Sequence, residues 1–203
     1  MPDGLQRLAA AVALLLLAPL LVVLAVAVAV TMGRPVIYRA PRAGRHGEVF
    51  DLLKFRSMTP PAYADQPDAE RLTRFGRWLR STSLDELPEL VNIVRGDMVL
   101  VGPRPLFDFY TPHYDDVARR RLEVKPGLTG WAQVNGRNAT AWADRFALDA
   151  WYVEHRSVWL DIKILARTVV AVLRREGVSH DGHDTMPVWV PRDAAPGVAD
   201  VDR

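Results

Sequence analysis

The sequence predicts an α-rich α/β fold: a long apolar N-terminal helix attached to a small domain of short strands and amphipathic helices. Three observations carry that expectation. No charged residue occurs from Leu8 to Met32. Runs of β-forming residues at 36–38, 48–55 and 99–101 are short and bounded by turn formers. The segments between and after them repeat their apolar residues at helical spacing, most clearly over 158–176. The chain divides accordingly into a membrane helix over 1–33, one domain over 34–187 and a disordered tail over 188–203.

The uncharged stretch would measure roughly 37 Å as a straight helix, enough to cross a bilayer. A cleaved signal peptide fits poorly, because the apolar run continues past Ala25-Val26-Ala27 and Asp3 weakens the basic flank. Two membrane forms remain. A simple spanning helix tolerates Pro19. A re-entrant helix uses Pro19 as a kink, since proline removes a backbone hydrogen bond. Arg7 before the segment and Arg34 with Arg39 after it favour both ends on one side. On these residues alone the spanning form has a slight edge.

The first two strands are separated by a loop containing Gly44 and Gly47. Residues 59–66 form a polar loop with a proline pair. A helix over 67–80 follows, with Pro67 at its start and acidic residues early. Ser83 opens a second helix that ends before Gly96, and 99–101 then runs into Gly102-Pro103-Arg104-Pro105. Residues 113–123 read as helical, 125–137 as a loop, and 140–155 and 158–176 as helices. The last helix gathers Trp159, Ile162, Leu165, Ala166, Val169, Val172 and Leu173 on one face. Core packing is the favoured use of that face, with a membrane interface as the alternative.

With 203 residues and a formal net charge of +2, the chain has room for one compact domain plus an anchor. Charge is unevenly placed: Arg34, Arg39, Arg42, Arg45, Lys54 and Arg56 cluster just after the apolar segment. A basic stretch in that position suits an anionic membrane surface or a phosphate-bearing ligand. No nucleic-acid-binding motif accompanies it, so nucleic acid is not an expected partner. The absence of cysteine removes disulfides and thiolate metal sites.

The segment Ser81 to Pro88 offers the most chemistry. Read structurally, Ser83-x-x-Glu86 is a capping box, and Asp85 in the first turn complements the helix dipole. Read functionally, Asp85 is a carboxylate able to attack phosphorus while Glu86 holds a hard divalent cation. Glu89, one turn on, could extend the acidic patch, with a solvated helix face as the favoured reading. Lys54 and Arg56 at a strand end, and Arg104 on stiff backbone between two prolines, are candidate phosphate partners or surface ion-pair residues. The glycines of Lys125–Trp131 permit close approach of a ligand but match no nucleotide fingerprint. His180-Asp181-Gly182-His183-Asp184 has the composition of a metal cluster, yet a polar turn is the favoured reading.

Taken together, six segments in order resemble the bacterial sugar transferase family, the small monotopic phosphoglycosyl transferases. They are Arg39-x-x-Arg42-x-Gly44-x-His46-Gly47-x-x-Phe50, Lys54 to Met58, Leu79 to Pro88, Val101 to Pro105, Lys125 to Gly127 with Trp131 to Arg137, and Asp181-Gly182-His183. They cover about residues 34–187. The sequence departs from the family pattern at Gln6 to Ala10, which lacks a Phe-Asp pair, and at Ala18, where a serine is common.

The resemblance implies that Asp85 is the nucleophile on a UDP-sugar and that Glu86, with Asp85, binds Mg²⁺. It implies phosphate or substrate contacts from Lys54, Arg56, Arg80, Pro103, Arg104, Pro105 and Arg137. The acceptor would be polyprenol (undecaprenyl) phosphate, UMP would be released, and kinetics would be ping-pong. The expected setting is the inner leaflet of the bacterial cytoplasmic membrane, with the domain in the cytoplasm and a homodimer compatible with it. The N-terminal helix would be re-entrant with its break at Pro19, which reverses the preference for spanning. The task would be the first step of a surface glycan such as exopolysaccharide or lipopolysaccharide. Two rivals stay open: a non-catalytic membrane-anchored scaffold, and a UDP-sugar pyrophosphohydrolase with water as acceptor.

Overall fold

The computed structural model describes residues 1–63, 66–135, 141–174 and Trp189. The chain begins with α1 (Asp3–Met32), which continues through Pro19 as one element. It is the one described helix long and apolar enough to cross a membrane. Its buried residues, Gln6, Ala10, Leu24, Val28 and Met32, form a single stripe at helical spacing. Ala10 packs with Leu52, Leu90, Ile93 and Met98, and Leu24, Val28 and Met32 pack with Phe55 and Leu79. The helix therefore lies along the domain rather than standing off it. Both ends are tied down: Gln6 Oε1 accepts from Leu100 N at 2.9 Å, and Arg56 donates to Gly33 O at 2.8 Å. The other side of the helix is apolar and open, with Leu15 77% and Val30 79% exposed.

Strands β1 (Ile37–Ala43) and β2 (Val49–Phe55) form an antiparallel hairpin in the register Ile37↔Phe55 to Ala43↔Val49. The expected first strand thus extends five residues further, because the partner strand supplies hydrogen bonds that local propensity did not reveal. The expected helix over 67–80 is two pieces, α2 (Asp68–Arg71) and α3 (Arg74–Ser81). Leu72 is extended and bridges to Met58, and Thr73 Oγ1 caps α3 by accepting from Gly76 N at 2.9 Å.

The second expected helix is also shorter. A 3₁₀ turn covers Leu84–Glu86, and α4 runs from Glu89 to Arg95, closed by Gly96 at φ +96°. Pro88 has no N–H to donate back to Leu84, so that bond does not carry the turn into α4.

Strand β3 (Val99–Val101) pairs in parallel with β4 (Gly127–Thr129), in a segment expected to be loop, and α6 (Trp131–Asn135) follows at once. The pairing depends on close backbone approach: a Cβ at Gly127 would lie 2.1 Å from Gly102 N. Between them, the helix expected over 113–123 is broken into short pieces, including α5 (Asp116–Arg119) capped by Asp115.

Helices α7 (Trp142–His155) and α8 (Val158–Leu173) match expectation to within a few residues. The buried side of α8 does not. Leu160, Ile164 and Ala171 face the core with Asp161, whereas Trp159, Ile162, Val169 and Val172 are exposed. The helix is apolar around most of its circumference, so the widest arc was not the packed one. Two polar contacts fix its rotation: Tyr152 Oη lies 2.7 Å from Asp161 Oδ1, and Thr129 and Thr168 share a hydroxyl contact of 2.7 Å. Trp189, from the segment expected to be a loose tail, packs on Tyr110 and Phe146 with ring centroids 5.3 Å away from each. The His180–Asp184 cluster lies outside the described residues.

Candidate active site

The site forms where the turn after α3 meets the end of β2. Ser83 adopts φ +55°, a left-handed conformation, and makes no side-chain cap. The capping box read from Ser83-x-x-Glu86 is therefore not formed. Turning the chain at Ser83 frees the Glu86 carboxylate to reach outward. Its Oε1 accepts from Lys54 Nζ at 2.7 Å and from Arg104 Nη2 at 2.8 Å. Capping and charge pairing, which compete for that carboxylate, are thus resolved in favour of pairing.

Lys54 is carried by β2, and β2 is pinned to α4 by Asn92. Leu53 N donates to Asn92 Oδ1 at 3.1 Å, and Asn92 Nδ2 donates to Asp51 O at 2.8 Å. Lys54 also lies 3.2 Å from Glu89 Oε1. Glu89 is only 2% exposed, so its reading as a solvated helix face is corrected. A buried carboxylate at that place is tolerable because a cation faces it.

The electrostatics divide the three acids. Burial, and then the Glu86 charge, push Asp85 up to about 6, against Lys54, Arg80 and Arg104. Burial also pushes Glu86 upward, but Arg104 and Lys54 outweigh it and hold this carboxyl well below its usual range. Burial pushes Glu89 up to about 7, with Lys54 opposing. For Lys54 burial works downward, and the two glutamates more than compensate, leaving the amine raised. Asp85 is 8% exposed, and its side chain has no hydrogen-bond or ion-pair partner among the described residues.

Arg80, on α3, acts on Asp85 through its charge while its Nε donates to Ser57 Oγ at 2.9 Å. Arg104 sits between Pro103 and Pro105, and Pro103 O accepts from Gly127 N at 2.9 Å. The structure thus brings together Lys54, Arg80, Asp85, Glu86 and Arg104, with the two prolines holding the last. Arg56 points elsewhere: its Nη1 and Nη2 donate to the carbonyls of Arg34, Met32 and Gly33 at the end of α1. Those contacts make Arg56 a clamp on the end of α1. Arg137 lies outside the described residues.

Buried polar residues that escaped the sequence reading include Asn92, Arg121, Asp149 and Asp161. Asp149 had a readable signal, a lone acid in the apolar run Phe146 to Val153. Arg121 stands in a row of three arginines, and nothing local marks which of them turns inward.

No group of three or more metal-ligating side chains occurs among the described residues. Two adjacent carboxylates, one without a partner, still fit a hard divalent cation whose shell is completed by substrate phosphates and water.

The chain matches the model of the bacterial sugar transferase family over residues 3–175. It is 47% identical over 182 residues to the uncharacterised sugar transferase EpsL of Bacillus subtilis, covering 88% of this chain and 90% of that protein. It is 40% identical to the exopolysaccharide production protein ExoY of Rhizobium meliloti, covering 84% of each. It is also 42% identical over 165 residues to the undecaprenyl-phosphate galactose phosphotransferase of Salmonella typhimurium, covering 71% of this chain but only 35% of that longer protein. With a match that runs through α1, the candidate site and α8, this chain belongs to the bacterial sugar transferase family.

Proposed function

We propose that this protein moves a sugar 1-phosphate from a UDP-sugar to a polyprenol phosphate, with Asp85 as the nucleophile. The observation that carries the reading is the contrast within one turn. Glu86 is neutralised by two cations, while Asp85 is nearly buried, has no partner among the described residues and is ringed by Lys54, Arg80 and Arg104. A carboxylate so placed is free to react, and the cations around it offset charge on a phosphate brought against it.

In the first step an Asp85 carboxylate oxygen bonds to the sugar-bearing phosphorus. The bond from that phosphorus to the bridging oxygen breaks, and UMP leaves with the electron pair. In the second step a phosphate oxygen of the polyprenol phosphate attacks the same phosphorus. The acyl phosphate bond breaks, giving polyprenyl diphosphate sugar and restoring the Asp85 carboxylate. Arg104 and Lys54 bind and orient the phosphates, and Lys54, Arg80 and Arg104 all favour the ionised form of Asp85. Mg²⁺, held by Asp85 and Glu86, would supply further charge neutralisation on the diphosphate. The Salmonella relative is named for undecaprenyl phosphate and galactose, which supports this acceptor class.

The same geometry supports a membrane setting. The apolar outer face of α1 and the exposed Trp159, Ile162, Val169 and Val172 of α8 are surfaces suited to lipid. The two ends of α1 hold one domain, which favours a helix dipping into one leaflet with Pro19 at its bend over one that spans. The cytoplasmic leaflet of the inner membrane is the proposed location.

Incubating the protein with a panel of UDP-sugars labelled in the sugar phosphate tests the reading. Wild-type protein is expected to become labelled and release UMP. Asp85→Asn is expected to lose both the label and transfer to lipid. Full turnover by that variant would sink the assignment.

A further inference from the structure

Behind the candidate site lies a buried charge pair with no evident part in the chemistry. Arg121 and Asp149 are 5% and 4% exposed, and Arg121 Nη2 lies 3.1 Å from Asp149 Oδ2. The two residues come from different elements, Arg121 from the turn after α5 and Asp149 from the middle of α7. Removing two charges from water is costly, and a well-packed apolar pair often serves stability as well or better. The arrangement therefore invites a question about what else the guanidinium does.

Its remaining donors answer that. Arg121 Nη2 also donates to the backbone carbonyl of Arg104, and Nη1 donates to Tyr114 Oη at 3.3 Å. The planar fork thus spans three groups: a carboxylate, a phenol and the carbonyl of the residue whose side chain holds Glu86. Aromatic faces close over it, with Phe146 5.5 Å and Tyr114 5.9 Å from the guanidinium carbon. The charged groups acting on Asp149 are Arg121 and, from its own helix, Arg145. On the far side, Arg104 is gripped through its backbone by Pro103 and Pro105. Its guanidinium is held in turn by Glu86 Oε1 at 2.8 Å.

We propose that the Arg121–Asp149 pair is a positioning device that sets the Arg104 backbone, and through it the aim of the Arg104 guanidinium at the phosphate site. This rests on the reading of Asp85 as the nucleophile with Arg104 as a phosphate partner. Asp149 holds Arg121 in one orientation, Arg121 holds the Arg104 carbonyl, and neither touches substrate. Lysine is a poor replacement for Arg121 here, because one ammonium nitrogen cannot stand both where Nη2 meets Asp149 and the Arg104 carbonyl and where Nη1 meets Tyr114. A displacement of about 1 Å at a catalytic group costs on the order of 100-fold in rate.

A double-mutant cycle on the full-length protein in lipid nanodiscs tests the device. UMP release is measured for wild type, Arg121→Lys, Arg104→Ala and the double variant, with melting temperatures recorded for each. Asp149→Asn, nearly isosteric, is run as a second entry into the same pair should Arg121→Lys fold poorly. Either single change is expected to lower kcat about 10- to 100-fold. In the Arg104→Ala background the same change is expected to have less than about a twofold effect, because the guanidinium being aimed is gone. Penalties that multiply in the double variant would assign the pair to general stability and overturn the inference. Full activity of both Arg121→Lys and Asp149→Asn would overturn it as well. Absence of any turnover by wild type would overturn the transferase reading and this inference with it, so the two failures are distinguishable.

Discussion

At Asp85 and Glu86, two acids on consecutive residues of one turn are driven in opposite directions by what surrounds them. Burial acts on both, but only Glu86 receives direct donors, from Lys54 and Arg104. Asp85 keeps the desolvation and adds the repulsion of its neighbour, and its carboxyl rises to about 6. The nucleophile is the ionised form, so the rate of protein labelling should rise with pH through that region. A divalent cation favours the carboxylate and should move the rise to lower pH. Single-turnover labelling from about pH 5 to about pH 8, with and without Mg²⁺, checks both signs; a flat profile would count against Asp85 as the attacking group. The turn itself is held at a cost, since Ser83 sits at φ +55°. Left-handed backbone costs a non-glycine residue about 1–2 kcal/mol. Ser83→Gly should leave the melting temperature unchanged or raise it. Ser83→Val, with a branched Cβ, should lower stability by at least about 1 kcal/mol. The pattern Ser83-x-x-Glu86 was legible as a motif, but the choice between capping and pairing was not. That choice depends on Lys54 and Arg104, which are distant in sequence.

Among the elements, α3 is placed by contact with the chain just after β2. A Cβ on Gly76 would lie 1.8 Å from Ser57 O, so the helix touches that backbone directly. Gly76→Ala should force the two apart, destabilising the protein by about 1–3 kcal/mol and loosening the Arg80–Ser57 contact. Thermal denaturation and UMP release measure the two consequences. Helices with clear boundaries were readable from the sequence: α7 and α8 begin and end near the expected residues, and Gly96 closes α4 as expected. Elements that depend on a remote partner were not. β4 exists because β3 is beside it, and the split of α2 from α3 follows from the Leu72 bridge to Met58. Propensity reports the local preference of a segment and is silent about such partners.

Across the whole molecule, α1 has one face on the domain and one face open, and the two should respond differently to charge. Leu15 lies on the open side, 77% exposed. Leu15→Asp should leave melting in detergent close to wild type but weaken flotation with phosphatidylglycerol vesicles, since an acid in the apolar layer costs about 2.5–3.5 kcal/mol. Undiminished vesicle binding would exclude that face from the membrane. By itself, the sequence determined that an uncharged helix of membrane length precedes an α-rich α/β domain, and that acids and cations of phosphate chemistry recur in a recognisable order. Composition and spacing are properties of the chain, and they survive without knowledge of the fold. Only the tertiary structure decided which charges meet: Lys54 and Arg104 on Glu86, Arg56 withdrawn to the end of α1, and Glu89 and Asp149 buried. It also decided which side of α8 is covered. These outcomes depend on distances between residues far apart in the chain, where Coulomb energy and desolvation vary steeply and local pattern carries no information.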